Sequence, residues 1–139
     1  FLGSGIMPMP HVQNPKRPVA LGIATDIGGG TNYSMLATMA ETYKLQMLNG
    51  YKPSVAELYY LSTQGNADRL KLGSEIGSLE IGKFADVIVL DPEATPVLKS
   101  RQEVSKAIED VLFSLMMLGD DRAVAATYVA GQRVHARMN

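Results

Sequence analysis

The sequence predicts an α/β fold with two subdomains, and three observations support this prediction. A short continuous apolar run at residues 19–24 is typical of a strand that is covered on both faces. Two segments with helical periodicity follow it, at roughly 32–49 and 54–68. The remainder is typical of antiparallel strands around one helix at about 100–119, so a parallel crossover unit gives way to antiparallel strands at a boundary near residues 71–74.

The composition describes a globular chain with almost no net charge. Its 139 residues are 46% hydrophobic and 19% charged, with a formal net charge of -1. These values argue against disorder and give no electrostatic reason to bind nucleic acid or an anionic membrane. The chain has no cysteine, which excludes disulfides, thiolate metal sites and a cysteine nucleophile. The absence of cysteine is compatible with a reducing cytosol, and we expect a cytoplasmic protein. No apolar run approaches the ~20 residues of a membrane span.

In the first half, loop and helix signals follow each other in a regular order. Residues 1–17 are punctuated by proline and glycine and are expected to form a loop. The first predicted helix ends at Asn49-Gly50, and the second begins at Ser54, which forms a capping box with Glu57. The apolar face of the first helix consists of Leu36, Met39, Ala40, Tyr43 and Met47.

In the second half, the pattern changes to short strands and turns. The apolar stretch from Val87 to Leu90 predicts a strand. Ser100 and Glu103 resemble a second capping box, which would start a helix that extends to Gly119. The tail is expected to form a hairpin that turns near Ala130-Gly131.

The apolar run 19–24 leads into a single acid, Asp26, which is followed after one residue by three glycines. An acid at the C-terminal end of a buried parallel strand lies where α/β and barrel enzymes place reactive groups. A buried carboxylate needs a metal ion or a charged partner, and glycines would let a flat ligand approach the backbone and leave N–H groups free. Asp26 could equally cap the next helix or serve as a turn residue, so the pattern leaves both roles open.

The other polar residues favour surface or packing roles. His11 and His135 have no ligand partner at metal-binding spacing. Acids at the end of the last helix are expected to be solvated and to form a salt bridge with Arg122. The glycine run matches neither phosphate-binding signature. Residue types and spacing alone therefore identify one candidate carboxylate, Asp26, and no set of catalytic residues.

Several segments resemble bacterial guanine deaminases of the amidohydrolase superfamily. The stretch A-T-D-I-G-G-G-T-N-Y-S-M-L resembles their eighth-strand motif, and F-L-G-S-G at residues 1–5 resembles the segment shortly before it. The stretch I-G-S-L-E-I-G-K-F-A-D-V-I-V-L-D resembles a return into the β-sandwich that is common to many amidohydrolases. M-L-G-D-D-R followed by T-Y-V-A-G-Q-R-V is more particular to guanine deaminases. The resemblance spans nearly the whole chain in the same order.

The resemblance implies a fold and a role for Asp26. Residues 1–72 would be the C-terminal end of a metal-dependent (β/α)8 barrel, its last strand and helices, and residues 73–139 part of the accompanying β-sandwich. The implied reaction is the zinc-dependent hydrolytic deamination of guanine to xanthine and ammonia. Asp26 would bind the single zinc ion, contact the substrate, and take and pass on the proton of the attacking water. Zinc lowers the pKa of such a water to about 7.

The same resemblance places most of the site upstream of Phe1. The paired histidines of the first strand, the later metal histidine, the catalytic glutamate and the purine-binding Arg and Phe are absent here. We therefore expect the 139 residues alone to bind no zinc, to be inactive, and to self-associate or rearrange around residues 19–24. The family commonly forms homodimers, which we also expect. The alternatives are a chlorohydrolase or another aminohydrolase of the superfamily, and a non-catalytic structural module.

Overall fold

The structure, a computed structural model, describes residues 5–138. The first four residues of the F-L-G-S-G segment, 1–4, lie outside the described residues. None of the described helices is long and apolar enough to cross a membrane. The elements of the described part are the helices Met9–Val12 (α1), Met35–Leu48 (α2), Val55–Ser62 (α3) and Gln64–Arg69 (α4), the strand Val87–Leu90 (β1), the helices Pro96–Gln102 (α5) and Ile108–Leu118 (α6), a 3-10 turn at Asp121–Ala123, and the strands Val124–Val129 (β2) and Gln132–Ala136 (β3).

Helix α2 forms where the apolar periodicity predicts it. Ser34 caps its first turn, with Oγ accepting a hydrogen bond from the Ala37 N–H at 3.3 Å. Tyr43 meets Phe113 of α6 edge to face, with ring centroids 5.3 Å apart. Most of the predicted face lies in or against the core, whereas Met47, in the last turn of α2, is 46% exposed. The buried members of that face are Leu36, Met39 and Ala40.

Residues 9–12 form the short helix α1, although a loop is predicted there. Met9 is buried, and its N–H donates to Gln46 Oε1 of α2 at 2.9 Å. The Gln46 amide in turn donates to the Met7 carbonyl at 2.8 Å. These bonds satisfy the buried Gln46 side chain and connect the N-terminal segment to α2.

The predicted helix 54–68 is two helices, α3 and α4, interrupted at Thr63. Its start is confirmed, because Ser54 Oγ accepts from the Glu57 N–H at 3.0 Å. The Glu57 carboxylate does not complete the capping box and instead accepts from the Tyr51 hydroxyl at 2.8 Å. At Thr63 the backbone leaves helical geometry, with φ -127° and ψ -102°.

The prediction of a strand at residues 19–24 is wrong for the described chain. This segment has no ladder partner among residues 5–138. Its backbone bonds instead to helical elements: the Val19 N–H donates to the Val12 carbonyl, and the Ile23 N–H to the Leu61 carbonyl. A strand needs a neighbouring strand to satisfy its backbone groups, and the described residues place none beside this segment.

The predicted continuous helix at about 100–119 is also wrong, because α5 and α6 are separate. α5 begins earlier than predicted, with Thr95 Oγ1 accepting from the Leu98 N–H at 3.2 Å and proline at the first helical position. α6 begins where the Asp110 carboxylate accepts from the Lys106 and Ala107 N–H groups at 2.9 and 3.1 Å. These backbone hydrogen bonds, chiefly the one from Lys106, lower the pKa of Asp110.

The three strands form one antiparallel sheet in the order β1-β2-β3. The predicted strand Val87–Leu90 is confirmed, and Ile88 pairs with Thr127 of β2. The predicted hairpin is also confirmed: Ala130 and Gly131 both have positive φ, 49° and 78°, as a tight two-residue hairpin turn requires. The small sheet and the helices are consistent with the predicted α/β class, of which the chain forms a part.

The apolar core is built mainly by helices from both halves of the chain. Helix α6 packs against α2 and α3, so the core crosses the predicted boundary between residues 1–72 and 73–139. That division of the chain stays a prediction. The buried core residues are Met9, Ile23, Leu36, Met39, Ala40, Leu58, Leu61, Leu98, Leu115, Met116 and Ala123.

An ion pair ties the C-terminal segment to the end of β1 and predicts a pH dependence. Arg137 Nη2 lies 2.6 Å from Asp91 Oδ2, and the guanidinium also donates to the Arg122 carbonyl. The bond from Arg137, followed by one from the Glu93 N–H, lowers the pKa of Asp91. A carboxyl with a lowered folded-state pKa stabilises the fold above its unfolded-state pKa of about 3.9, and this contribution disappears as the pH falls through the folded-state pKa.

We therefore expect Asp91→Asn to lower the melting temperature at neutral pH and to have a progressively smaller effect below about pH 4. Melting curves of parent and variant across this range provide the measurement. Glu103→Gln, which changes an exposed acid in the same way, serves as the control. A gap between the parent and Asp91→Asn that stays constant down to about pH 2 would contradict the ion-pair explanation.

Candidate functional site

The segment that leads to Asp26 is fixed to the helices at Ile23. This side chain is 8% exposed and belongs to the apolar core. Its N–H donates to the Leu61 carbonyl at 3.1 Å, and its carbonyl accepts from Asn66 Nδ2 at 2.7 Å. Beyond Ile23 the chain turns outward, and the side chain of Asp26 is exposed.

Asp26 is a turn residue and not a helix cap. Its φ is 48°, in the left-handed region that Asp tolerates better than most residues. The N-cap of the following helix is Ser34, so the capping alternative for Asp26 is wrong. The Asp26 carbonyl accepts from the N–H groups of Gly29 and Gly30 at 3.0 and 2.5 Å. These two N–H groups are therefore used within the loop and are not free for a ligand, contrary to the expectation from the glycine run.

The three glycines after Asp26 are constrained in different ways within this turn. A Cβ on Gly30 would collide with the Thr25 carbonyl oxygen, and a Cβ on Gly29 would lie 2.6 Å from Asp26 Oδ2. Gly28 has a φ of 105°, which side chains rarely adopt, but open space around it. The Asp26 carboxylate consequently lies directly over the backbone of Gly29.

These contacts predict different costs for two alanine substitutions in the same turn. Gly30→Ala places a methyl group against a backbone oxygen that cannot move aside, whereas Gly28→Ala introduces only an unfavourable φ. We expect Gly28→Ala to destabilise by about 1 kcal/mol and Gly30→Ala by more, with faster amide exchange at residues 25–30. Melting temperatures and hydrogen exchange measure both effects. Equal effects of the two substitutions would contradict the described turn.

The start of α2 faces an apolar groove of about 1150 Å³. The loop of the M-L-G-D-D-R motif lines the same groove, and a Cβ on Gly119 would lie 3.0 Å from Leu36 Cδ1 of α2. In this loop Arg122 Nη2 pairs with Asp120 Oδ2 at 2.6 Å, which confirms the predicted salt bridge. The bond from Arg122 lowers the pKa of Asp120. The motif thus packs against the helix that follows the Asp26 turn.

The described residues do not assemble a metal site around Asp26. Within residues 5–138 no group of three or more His, Asp or Glu side chains could hold a metal ion. His11 is exposed in α1, and His135 is exposed in β3. A zinc site takes three or more protein ligands, so Asp26 could supply one ligand at most. The described part of the chain does not fit a complete zinc site.

Sequence reasoning missed Asn66, which bonds to the backbone beside the candidate site. The two partners, Asn66 and Ile23, are 43 residues apart in the sequence. In the sequence, a single Asn within a predicted helix does not indicate that its side-chain amide bonds to the carbonyl of a distant residue. A glycine at residue 22 inside the apolar run is the nearest sequence signal, because it indicates a close approach of other atoms.

Three comparisons with known proteins agree with one another. A model of the amidohydrolase family matches residues 3–134. Guanine deaminase of Escherichia coli is 43% identical over 137 residues, which cover 99% of this chain and 31% of that enzyme. The solved structure of Escherichia coli guanine deaminase superposes with a TM-score of 0.94, at 42% identity and over 99% of this chain and 31% of that one.

A more distant solved structure also superposes over most of the chain. Guanine deaminase of C. acetobutylicum, described with guanine bound in its active site, gives a TM-score of 0.73 at 26% identity. The match covers 96% of this chain and 31% of that structure. The chain therefore spans about a third of the length of the relatives that it matches.

Proposed function

This chain belongs to the amidohydrolase family, and from that premise we propose that it is the C-terminal part of a guanine deaminase. The proposed reaction is the zinc-dependent hydrolysis of guanine to xanthine and ammonia. The 43% identity to the Escherichia coli enzyme, maintained over 99% of the chain, is the observation that carries this proposal. The guanine bound by the C. acetobutylicum relative supports the choice of substrate.

Within this proposal, Asp26 is the residue of the chain that acts at the reaction centre. Its carboxylate is exposed at the end of a segment whose Ile23 side chain lies in the core. The turn is held by hydrogen bonds from the Gly29 and Gly30 N–H groups to the Asp26 carbonyl. We assign to it one metal-ligand position, a contact with guanine, and the transfer of a proton during hydrolysis, which a carboxylate performs as general base and then acid. The remaining zinc ligands would come from polypeptide outside this chain.

The proposal also gives residues 19–24 a place in the longer protein. There this segment would be the last strand of a (β/α)8 barrel, paired with strands from the remaining polypeptide. The three-stranded sheet would form part of the accompanying β-sandwich. The homodimer and the cytoplasmic location stay predictions.

The test is to express the longer reading frame that contains this chain, with zinc, and to follow guanine loss together with xanthine and ammonia formation. We expect stoichiometric conversion by the longer protein and none by the 139 residues alone. Consumption of another aminated or halogenated heterocycle in place of guanine would move the assignment to a sister amidohydrolase. A longer protein that binds no zinc and turns over none of these substrates would favour a non-catalytic module.

A further inference from the structure

The backbone at Ile23 is held by two hydrogen-bonding groups of helices α3 and α4, and no sequence motif identifies these groups. The Ile23 N–H donates to the Leu61 carbonyl, and the Ile23 carbonyl accepts from Asn66 Nδ2 at 2.7 Å. Leu61 lies in the last turn of α3 and Asn66 lies in α4, so both contacts meet the segment where the helix is interrupted at Thr63. Because buried peptide groups need hydrogen-bond partners, these two contacts fix the position of this peptide relative to the helices.

Gly22 shows how closely the Asn66 side chain approaches this segment. A Cβ on Gly22 would collide with Asn66 Oδ1 and would lie 3.1 Å from Asn66 Cγ. Gly22 is not among the residues with positive φ, so its backbone conformation is open to other residues. A larger residue at position 22 would therefore have to displace the Asn66 side chain, which packs against Gly22 and bonds to Ile23.

We propose that Asn66 is a positioning residue for Asp26, an inference that rests on the proposed function. Asp26 follows Ile23 by three residues, and its own turn is closed by bonds within the loop. The contacts at Ile23 are thus the hydrogen bonds that join this segment to α3 and α4 immediately before the turn, whereas the bond from Val19 to Val12 of α1 lies farther from Asp26. Reacting groups must be held to within about 0.5 Å, and a displacement of about 1 Å can cost about 100-fold in rate.

The decisive variant is Asn66→Asp in the longer protein. It keeps the shape of the side chain but replaces the Nδ2 donor with an oxygen that faces the Ile23 carbonyl. We expect kcat for guanine to fall about tenfold or more, KM to change less than about twofold, and amide exchange at residues 22–26 to accelerate. Asn49→Asp makes the same chemical change at the exposed C-cap of α2 and should alter none of these quantities.

A double substitution tests the contact independently of activity. Gly22→Ala should lower the melting temperature because its methyl group meets Asn66, and adding Asn66→Ala should restore part of the loss. Additive effects of these two substitutions, or an Asn66→Asp variant whose kcat and exchange rates stay within about twofold of the parent, would overturn the proposal. If the parent protein does not turn over guanine, the proposed function fails, and the exchange rates and the coupling alone decide whether Asn66 positions this segment.

Discussion

Asp26→Asn in the longer protein is expected to lower kcat for guanine deamination by about 10²–10⁴-fold, the usual contribution of a general acid–base group. The amide cannot accept a proton at neutral pH and is a weaker zinc ligand than the carboxylate. Asparagine is the appropriate replacement because it has the same shape and tolerates the positive φ of 48° at this position. The measurements are kcat with guanine and the zinc content of the purified protein.

The matched control for Asp26→Asn is Glu93→Gln, which neutralises an exposed acid in the loop after β1. It should leave both kcat and zinc content unchanged. Because the Asp26 side chain is exposed, neither variant should change the melting temperature by more than a small amount. If the Asp26→Asn variant keeps its zinc and turns over guanine at the parent's rate, Asp26 takes no part in the reaction.

Leu58→Ala is expected to cause a large loss of stability. Leu58 has 0% exposure and lies on α3, which packs against α2 and α6. Truncating a fully buried leucine removes its apolar contacts and leaves a cavity, at a cost of about 2–5 kcal/mol in the free energy of unfolding. Domains are stable by only about 5–15 kcal/mol, so this change should clearly lower the midpoint of urea unfolding.

Leu48→Ala provides the control for this prediction, since Leu48 is also a helical leucine but is 77% exposed. Its effect should stay within about 0.5 kcal/mol. If the two substitutions shift the urea midpoint by the same amount, the core described around α3 is not the one that stabilises the protein.

The sequence predicted the local parts of the fold well where neighbouring residues are sufficient to form them. Ser54 caps its helix through the N–H three residues later. The hairpin turns at Ala130-Gly131 because both residues adopt positive φ, and β1 covers the predicted Val87–Leu90. The helix cap and the hairpin turn depend on interactions within a few residues, which capping and turn rules describe directly. The strand β1 was predicted from its apolar residues, but its ladder is formed with the distant strand β2.

The candidate site was predictable only in part. The sequence singled out Asp26 as an acid at the end of an apolar run, and the resemblance to known enzymes implied its chemical role. The free N–H groups expected after Asp26 are not available, because the Gly29 and Gly30 N–H groups bond to the Asp26 carbonyl. Residue periodicity does not determine the direction of N–H groups in a glycine turn, because that direction depends on the φ and ψ angles that the turn adopts.

The sequence by itself determined the family, helix α2, the start of α3 and the hairpin of this protein, because motif identity, capping and turn chemistry are local properties. Only the tertiary structure decided that residues 19–24 bond to helices rather than to strands, and that residues 103–107 separate two helices. It also decided that Asn66 bonds to a carbonyl 43 residues away. The reason is that each of these outcomes depends on which backbone groups find partners, and the conformation of the surrounding residues determines those partners.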